Sequence, residues 1–431
     1  MRTRVLIISE DPVGGEMGGN AIRAYELAKV LAGHAEVSLA APQSAGIAAG
    51  VEQVPFDRED TRGLRAQLRG AEVVVTLPQN PVVTAVLRRS DARIVYDLYD
   101  PKPLQVLEGL AAASAIKQRF HSTIALDHVM GALATGDYLL CASERQRDLW
   151  LGAMLAAGLI TPALYRADPT LRTLIDVVPF GVPDEPPAAG ADGPHERFAA
   201  LERSAEIVLW NGGLWNWLDP VGAVEAIAEV VKRRPQARLV FMGRPPLEDR
   251  QRGAAEAART RAQELGVLDR IVFFNDAWVP YEQRASWLLA ADCALSLHLD
   301  HLETRFSFRT RLLDCFWARL PIVCSEGDEL ADRVAREGLG ASTAAHDPHA
   351  AAAAIVEVLE RGRDSYGDAL ARAAADHGWS NVAAPLIRYA SDPAASPPRR
   401  SLQIALDGRR ARAAATRGIR GVLRVLRRAV S

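Results

Sequence analysis

Short apolar runs alternate along this chain with longer stretches whose apolar positions recur every three or four residues. The runs fall at Arg4–Ser9, Ala35–Ala40, Glu72–Leu77, Arg93–Asp97, Tyr138–Ala142 and Ile175–Val178. Helical periodicity fills several of the intervals, as at Ala21–Leu31 and Ser122–Ala134. A second set of runs follows at Ile207–Trp210, Arg238–Met242, Ile271–Phe274, Cys293–Leu297 and Pro321–Cys324. Helical patterns around Val221–Arg233, Gly253–Leu265 and Tyr281–Ala290 separate these. Such alternation predicts α/β architecture with doubly wound parallel sheets. Between the sets lies PDEPPAAGADGP, from Pro183 to Pro194, whose Pro, Gly and Ala content reads as a linker. Two domains facing across a cleft are expected, the first over 1–182, a linker over 183–200 and the second from 201 onward.

Length agrees, since 431 residues are too many for one core. Apolar content of 49% and charged content of 24% are those of an ordinary soluble globular protein. Cys141, Cys293, Cys315 and Cys324 stand singly inside apolar patterns, without metal-ligand spacing, so a reduced cytoplasmic protein without disulfides or bound metal is expected. No run of 18 apolar residues suggests a membrane span, and the first apolar run is too short for a signal peptide. The net charge of −2 hides an asymmetry. Ten arginines and one acid, Asp407, give Arg399 to Ser431 a charge of +9, leaving −11 on the rest.

The stretch with the most chemistry is LSLHLDHLETRFSFRTRLLDCFWARLPIVC, Leu295 to Cys324. A strand opens into a polar loop, and a helix starts near Ser307, Phe308 and Arg309. Helix starts after parallel strands bind phosphorylated ligands, because free N–H groups and the positive dipole end point at the ligand. Arg305, Arg309 and Arg311 add cations there, while Glu303 and Asp314 offer carboxylates to sugar hydroxyls. Anion-binding and hydroxyl-binding groups together suggest a nucleotide-sugar. Glycine loops follow the first strand of each domain, at Gly14 to Asn20 and at Gly212-Gly213. Neither has dinucleotide-binder or P-loop spacing. Gly18, Gly19, Asn20, Gly212 and Gly213 are candidate donor-binding positions. Trp210, Trp215 and Trp217 either pack as lid residues or stack on a sugar face. Arg244, at another strand end, either faces phosphate or is a solvated loop arginine, and Trp278 and Val279 border a base on this reading. In the first domain Asp97 and Asp100 are candidate ligands for acceptor hydroxyls, although Asp100 precedes a proline and also suits a turn. His121, at the start of a helical stretch, is a third acceptor-side candidate or a structural histidine.

These residues resemble the glycosyltransferases of family four, which have the GT-B fold of two facing Rossmann-like domains. The resemblance covers most of residues 1 to 392. It rests on the glycine-rich first loop, on Cys141-Ala142-Ser143-Glu144 closing the first domain, on Val178-Pro179-Phe180-Gly181-Val182 crossing to the second, and on the Trp379 region. By that resemblance the second domain runs over 201–378, a helix over 379–392 returns toward the first, and 393–431 is a basic tail. The family's two motif glutamates fall on Phe306 and Asp314, so one carboxylate is missing. The resemblance gives Asp314 the ribose hydroxyls, Glu303 the role of the missing glutamate, and the backbone of Ser307, Phe308 and Arg309 the diphosphate, with Thr310 a further donor-binding candidate. The arginine and lysine usual after the first strand of the second domain are absent from Gly213 to Asp219. Charge on a leaving phosphate must be met. Arg309 and Arg311 are the replacements, and Arg309, nearer the helix start, is expected to be the catalytic one.

The resemblance implies a retaining, metal-independent hexosyltransferase with no cofactor beyond a nucleotide-diphosphate sugar as co-substrate. Its partners would be that donor and a hydroxyl acceptor, with no nucleic acid. An epimerase of the same fold and an inactive sugar-nucleotide-binding scaffold are the alternatives. In Thr416 to Ser431, Ile419, Val422, Leu423, Leu426 and Val430 fall on one helical face and five arginines on the other. This pattern suits an anionic membrane surface on the inner face of the membrane, or packing on an acidic protein. Membrane contact would suit a lipid-linked or cell-envelope acceptor.

Overall fold

All eleven apolar runs form strands, because each places consecutive β-branched and apolar side chains where both sheet faces are covered by helices. The computed structural model describes residues 2–14, 17–42, 50–111, 113–243 and 253–393. In the first lobe β1 (Arg4–Ile8), β2 (Glu36–Ala41), β3 (Val51–Pro55), β4 (Val73–Thr76), β5 (Arg93–Asp97), β6 (Tyr138–Cys141) and β7 (Ile175–Val177) lie in the order β3-β2-β1-β4-β5-β6-β7. In the second, β8 (Glu206–Trp210), β9 (Ala237–Phe241), β10 (Val272–Phe274), β11 (Cys293–Ser296), β12 (Ile322–Ser325) and β13 (Gly340–Thr343) lie in the order β10-β9-β8-β11-β12-β13. Every ladder is parallel; Ile8 of β1, for example, pairs with Ala40 of β2 and Thr76 of β4. In both sheets the chain first steps outward to one edge and then returns past its starting strand. The order therefore reverses between β1 and β4 and between β8 and β11. Loops at the carboxyl ends diverge at such a point and leave a crevice.

Among the helices that face the crevice or join the lobes are α1 (Gly19–Ala32), α2 (Lys102–Gly109), α3 (Ala115–Thr135), α4 (Glu144–Ala156), α5 (Pro220–Val230), α6 (Leu302–Phe306), α7 (Thr310–Trp317), α8 (Glu329–Glu337), α9 (Trp379–Val382) and α10 (Ala384–Ser391). Side chains set several of their starts. The Ser143 hydroxyl accepts the Gln146 N–H ahead of α4, Asp219 accepts Gly222 N–H ahead of α5, and Asp328 accepts Leu330 and Ala331 N–H ahead of α8.

The chain crosses between the lobes twice, side by side. Val182 N–H donates to His377 O at 2.8 Å, and Trp379 N–H donates to Val182 O at 3.0 Å. Gly181 is required there, because a Cβ would lie 2.6 Å from the Trp379 ring. The returning segment ends in α10, whose Tyr389 stacks on Tyr138 of the first lobe at 4.5 Å. All four cysteines are buried and free. No described helix is long and apolar enough to cross a membrane.

Candidate functional site

The lobes meet at the carboxyl ends of their sheets around a cavity of about 140 Å³. Tyr99, Asp100, Pro101 and Gln105 line it from the first lobe. Trp215, Trp217 and Leu218, from the loop after β8, form one wall of the second lobe, and His298, Glu303 and Ser307 to Arg311 form the other. A larger hollow of about 500 Å³ opens beside Arg4, Glu36 and Glu52. It lies at the amino ends of β1 to β3, where sheets of this kind do not place their ligands.

Three groups facing the cavity each keep a buried polar atom without a partner. Glu303 stands on α6, is 2% exposed and leaves Oε2 unsatisfied. Burial raises its carboxyl to about 7; Asp100 across the cleft adds to the rise and Arg309 opposes it. His298 follows β11, where its N–H donates to Ser325 Oγ at 2.9 Å. Its ring is 3% exposed and neither ring nitrogen has a partner. Burial, with Arg309 and Arg311 nearby, holds its pKa well below the usual histidine range, so the imidazole is neutral and can both donate and accept. Arg311 donates from Nη2 to Gly213 O at 3.3 Å and leaves Nη1 unpaired. Burial and Arg309 push its pKa down to about 10, which still leaves a cation at neutral pH.

Backbone geometry brings Arg311 to the glycine loop. Gly212 has φ +120°, and a Cβ there would sit 3.5 Å from the Arg311 guanidinium carbon. Gly243 supports the turn from below, since a Cβ would lie 2.2 Å from Gly212 O. Asn211 Nδ2 donates to Arg311 O at 2.7 Å and ties the loop to α7. Arg309 gives α7 no side-chain cap, which suits an anion at the Phe308 and Thr310 end of the helix, but the Ser307 N–H, expected at the diphosphate, donates to Glu303 O at 2.8 Å. Trp215 and Trp217 stack on each other at 5.4 Å and 2° and close the opposite wall. Trp210, by contrast, is a core residue.

Arg309 is not the free cation expected from its place at the helix start. It is 4% exposed, its Nε pairs with Asp328, and Nη2 donates to Ser325 O at 2.6 Å. Its guanidinium fastens β12 to α8, and of the two arginines in the lining it is Arg311 that keeps an unpaired nitrogen. Asp314 also departs from expectation: it pairs with Arg284 at 3.0 Å, and Arg284 stacks on Tyr281 and Trp317, away from the cavity lining. Asp97 is committed within the first lobe and is absent from the cavity lining. Both its oxygens accept from Arg23, at 2.5 and 3.1 Å, and Arg23 also donates to Val178 O and Pro179 O of the crossing segment.

Asp100 does line the cavity; burial raises its pKa against the opposing Lys102, and Gln105 Nε2 donates to it at 2.6 Å. His121 lies on α3 against Phe120 and is not among the lining residues, nor are Trp278 and Val279. Gly18 and Gly19 begin α1 without a side-chain cap. A Cβ at Gly19 would come 3.1 Å from Tyr99 Oη, so this turn backs the Tyr99 loop. Asn20 faces a separate hollow of about 20 Å³ beside Arg23 and Asp97. Arg244 and the basic tail lie outside the described residues. Sequence reasoning missed His298, although it lies in the segment richest in candidate groups and just beyond a strand's carboxyl end.

Residues 205–361 match the family model described as Glycosyl transferases group 1. No curated protein matches the chain by sequence. Several solved structures share its fold. WaaG, a glycosyltransferase involved in lipopolysaccharide biosynthesis, is 14% identical over 90% of this chain and 99% of its own, with a TM-score of 0.58. Sucrose-phosphate synthase from Thermosynechococcus elongatus is 17% identical over 96% and 100%, with a TM-score of 0.59. HepE of Anabaena, solved in complex with UDP-glucose, is 12% identical over 91% and 100%, with a TM-score of 0.61. The expected GT-B fold is borne out, and the expected kinship with glycosyltransferases is borne out over residues 205–361.

Proposed function

We propose, from a glycosyltransferase group 1 domain set in a GT-B fold, that this chain moves a hexose from a nucleotide-diphosphate sugar to an acceptor hydroxyl with retention. One observation carries the reading. An interlobe cavity receives an unpaired guanidinium nitrogen, a neutral imidazole and a buried carboxyl beside a helix start without a side-chain cap. A sugar with its phosphates satisfies all four: Arg311 and the start of α7 meet the diphosphate, and His298 and Glu303 meet hydroxyls. Asp100 approaches from the acceptor side. In the reaction the acceptor oxygen bonds to the anomeric carbon on the face the phosphate leaves, the carbon–oxygen bond to phosphate breaks, and the acceptor proton passes to the leaving phosphate oxygen. No protein base and no metal are required for that route. Closure of the lobes excludes water, whose attack on the donor is the competing reaction.

A lipid-linked acceptor is supported by the surface next to the acceptor side. Ile116, Phe120 and Ile124 recur at four-residue spacing on α3 and are 85%, 60% and 36% exposed. Leu107 of the adjoining α2 is exposed as well. An apolar stripe there suits peripheral contact with the inner face of a membrane.

The test is transfer from labelled nucleotide-diphosphate sugars, beginning with UDP-glucose, with and without a lipid extract and with chelator present. Product that depends on the acceptor supports the reading. Donor isomerisation without acceptor makes the protein an epimerase, and donor binding without turnover makes it a scaffold. The engaged state of Arg309 and Asp314 is the feature that favours the last of these.

A further inference from the structure

Gln146 does not line the cavity, yet it joins the two sides. It lies in the first turn of α4 with no exposed surface. Its Oε1 accepts the Ala142 N–H at 2.8 Å, which fixes the orientation of the amide. Nε2 then donates to two carbonyls, Tyr99 O and Phe306 O, each at 2.8 Å. Tyr99 immediately precedes Asp100. Phe306 ends α6, the helix that carries Glu303. One side chain therefore spans the interlobe boundary and holds the two loops that present the cleft's carboxyls. The neighbouring Arg145 reaches the same lobe from the rim, donating to Gly327 O at 3.0 Å and pairing with Asp332 of α8. That pair is partly exposed and worth little.

We infer that Gln146 is the positioning residue that sets the separation of Asp100 and Glu303 and holds the lobes closed over the site. Only a side chain of this length with two donors and one acceptor fits all three partners. When the lobes part, the bonds to Ala142 and Tyr99 stay within the first lobe and the bond to Phe306 O breaks. A buried carbonyl that loses its donor favours the open form, in which water can reach it. The consequence for turnover rests on the proposed sugar transfer; the consequence for closure does not.

Two measurements separate these. Dyes attached through Leu155→Cys on the first lobe and Arg233→Cys on the second report interlobe distance by energy transfer. Gln146→Met, which keeps the length and loses the donors, is expected to lower that transfer in ligand-free protein. UDP affinity should stay within twofold, kcat should fall at least tenfold, and the donor KM should change less than threefold. Arg145→Ala should leave all of these within twofold. Gln146→Glu, which keeps the acceptor and loses both donors, should behave like the methionine variant and decides the matter where Gln146→Met melts early. Unchanged energy transfer in both Gln146 variants overturns the inference, as does an Arg145→Ala effect of equal size. Absence of sugar transfer by the wild type defeats the proposed function and leaves the distance measurement as the test of Gln146.

Discussion

Each lobe buries an arginine–carboxylate pair near the carboxyl ends of its sheet, and what lies beside the two pairs differs. In the first lobe Arg23 gives its donors to Asp97 and to two carbonyls of the crossing segment. The next carboxylate along, Asp100, accepts from Gln105. In the second lobe Arg309 is bound just as fully to Asp328 and Ser325 O. Yet beside it Arg311, His298 and Glu303 each keep a buried atom without a partner. A buried polar group left unsatisfied costs about 1–3 kcal/mol. The first lobe carries that penalty at Asn20 Oδ1 beside Arg23, whereas the second carries it several times at one place, and a ligand that pairs these atoms recovers it. The first lobe is built to hold the chain crossing in place, and the second is built to be completed by something else.

The sharpest way to break the comparison is to remove the arginine of each pair. Arg23→Met and Arg309→Met should each cost about 3–5 kcal/mol of unfolding free energy, since each strands a buried carboxylate. Urea unfolding measures both. A loss below about 1 kcal/mol for Arg309→Met would mean that its guanidinium is not committed to Asp328, and would return it to the list of phosphate ligands.

Arg311 should behave in the opposite sense. Arg311→Met replaces a half-buried, incompletely paired cation with an apolar chain of similar length, so unfolding free energy should hold or rise. Transfer should fall about 10²–10³-fold in kcat, the usual loss when a group stabilising developing charge is removed. Steady-state kinetics beside a denaturation curve reads both. A variant that loses stability and keeps its turnover would reduce Arg311 to a packing residue.

The roles of Arg309 and Arg311 also mark the limit of what was legible in the sequence. Distance from the helix start favoured Arg309. The residue that captures it, Asp328, lies 19 positions later, and no local pattern announces such a pair. The pairing of Asp97 was hidden for the same reason, since Arg23 lies 74 positions earlier. The architecture was easier, because eleven buried strands print continuous apolar runs. The two strands that were missed, β3 (VEQVP) and β13 (GAST), are sheet edges with few bulky apolar residues. An edge strand buries less and needs less apolar pattern. The place of Glu303 in the cavity lining was legible because it lies between a strand's carboxyl end and the start of α7.

The smallest of the expected effects concerns that residue and depends on pH. In the empty cleft burial lifts the Glu303 carboxyl from 4.5 to about 7, aided by Asp100 and the more distant Asp328 and Glu108 and opposed by Arg309. The folded state thus holds this proton more tightly than the unfolded chain. The stability it confers is complete below about 4.5 and is lost as pH rises through about 7, a change on the order of 3 kcal/mol. Glu303→Gln has no such proton to lose. Its melting temperature should therefore approach that of the wild type at pH 5 and exceed it by a few degrees at pH 8. Parallel melting curves across that range would mean that the carboxyl already has a partner when the cleft is empty. Asp100→Asn sharpens the result, because removing the facing carboxyl from the first lobe should bring the wild-type midpoint down. A midpoint that stays put would show that burial within the second lobe alone sets it, and that the two lobes hold their carboxyls independently.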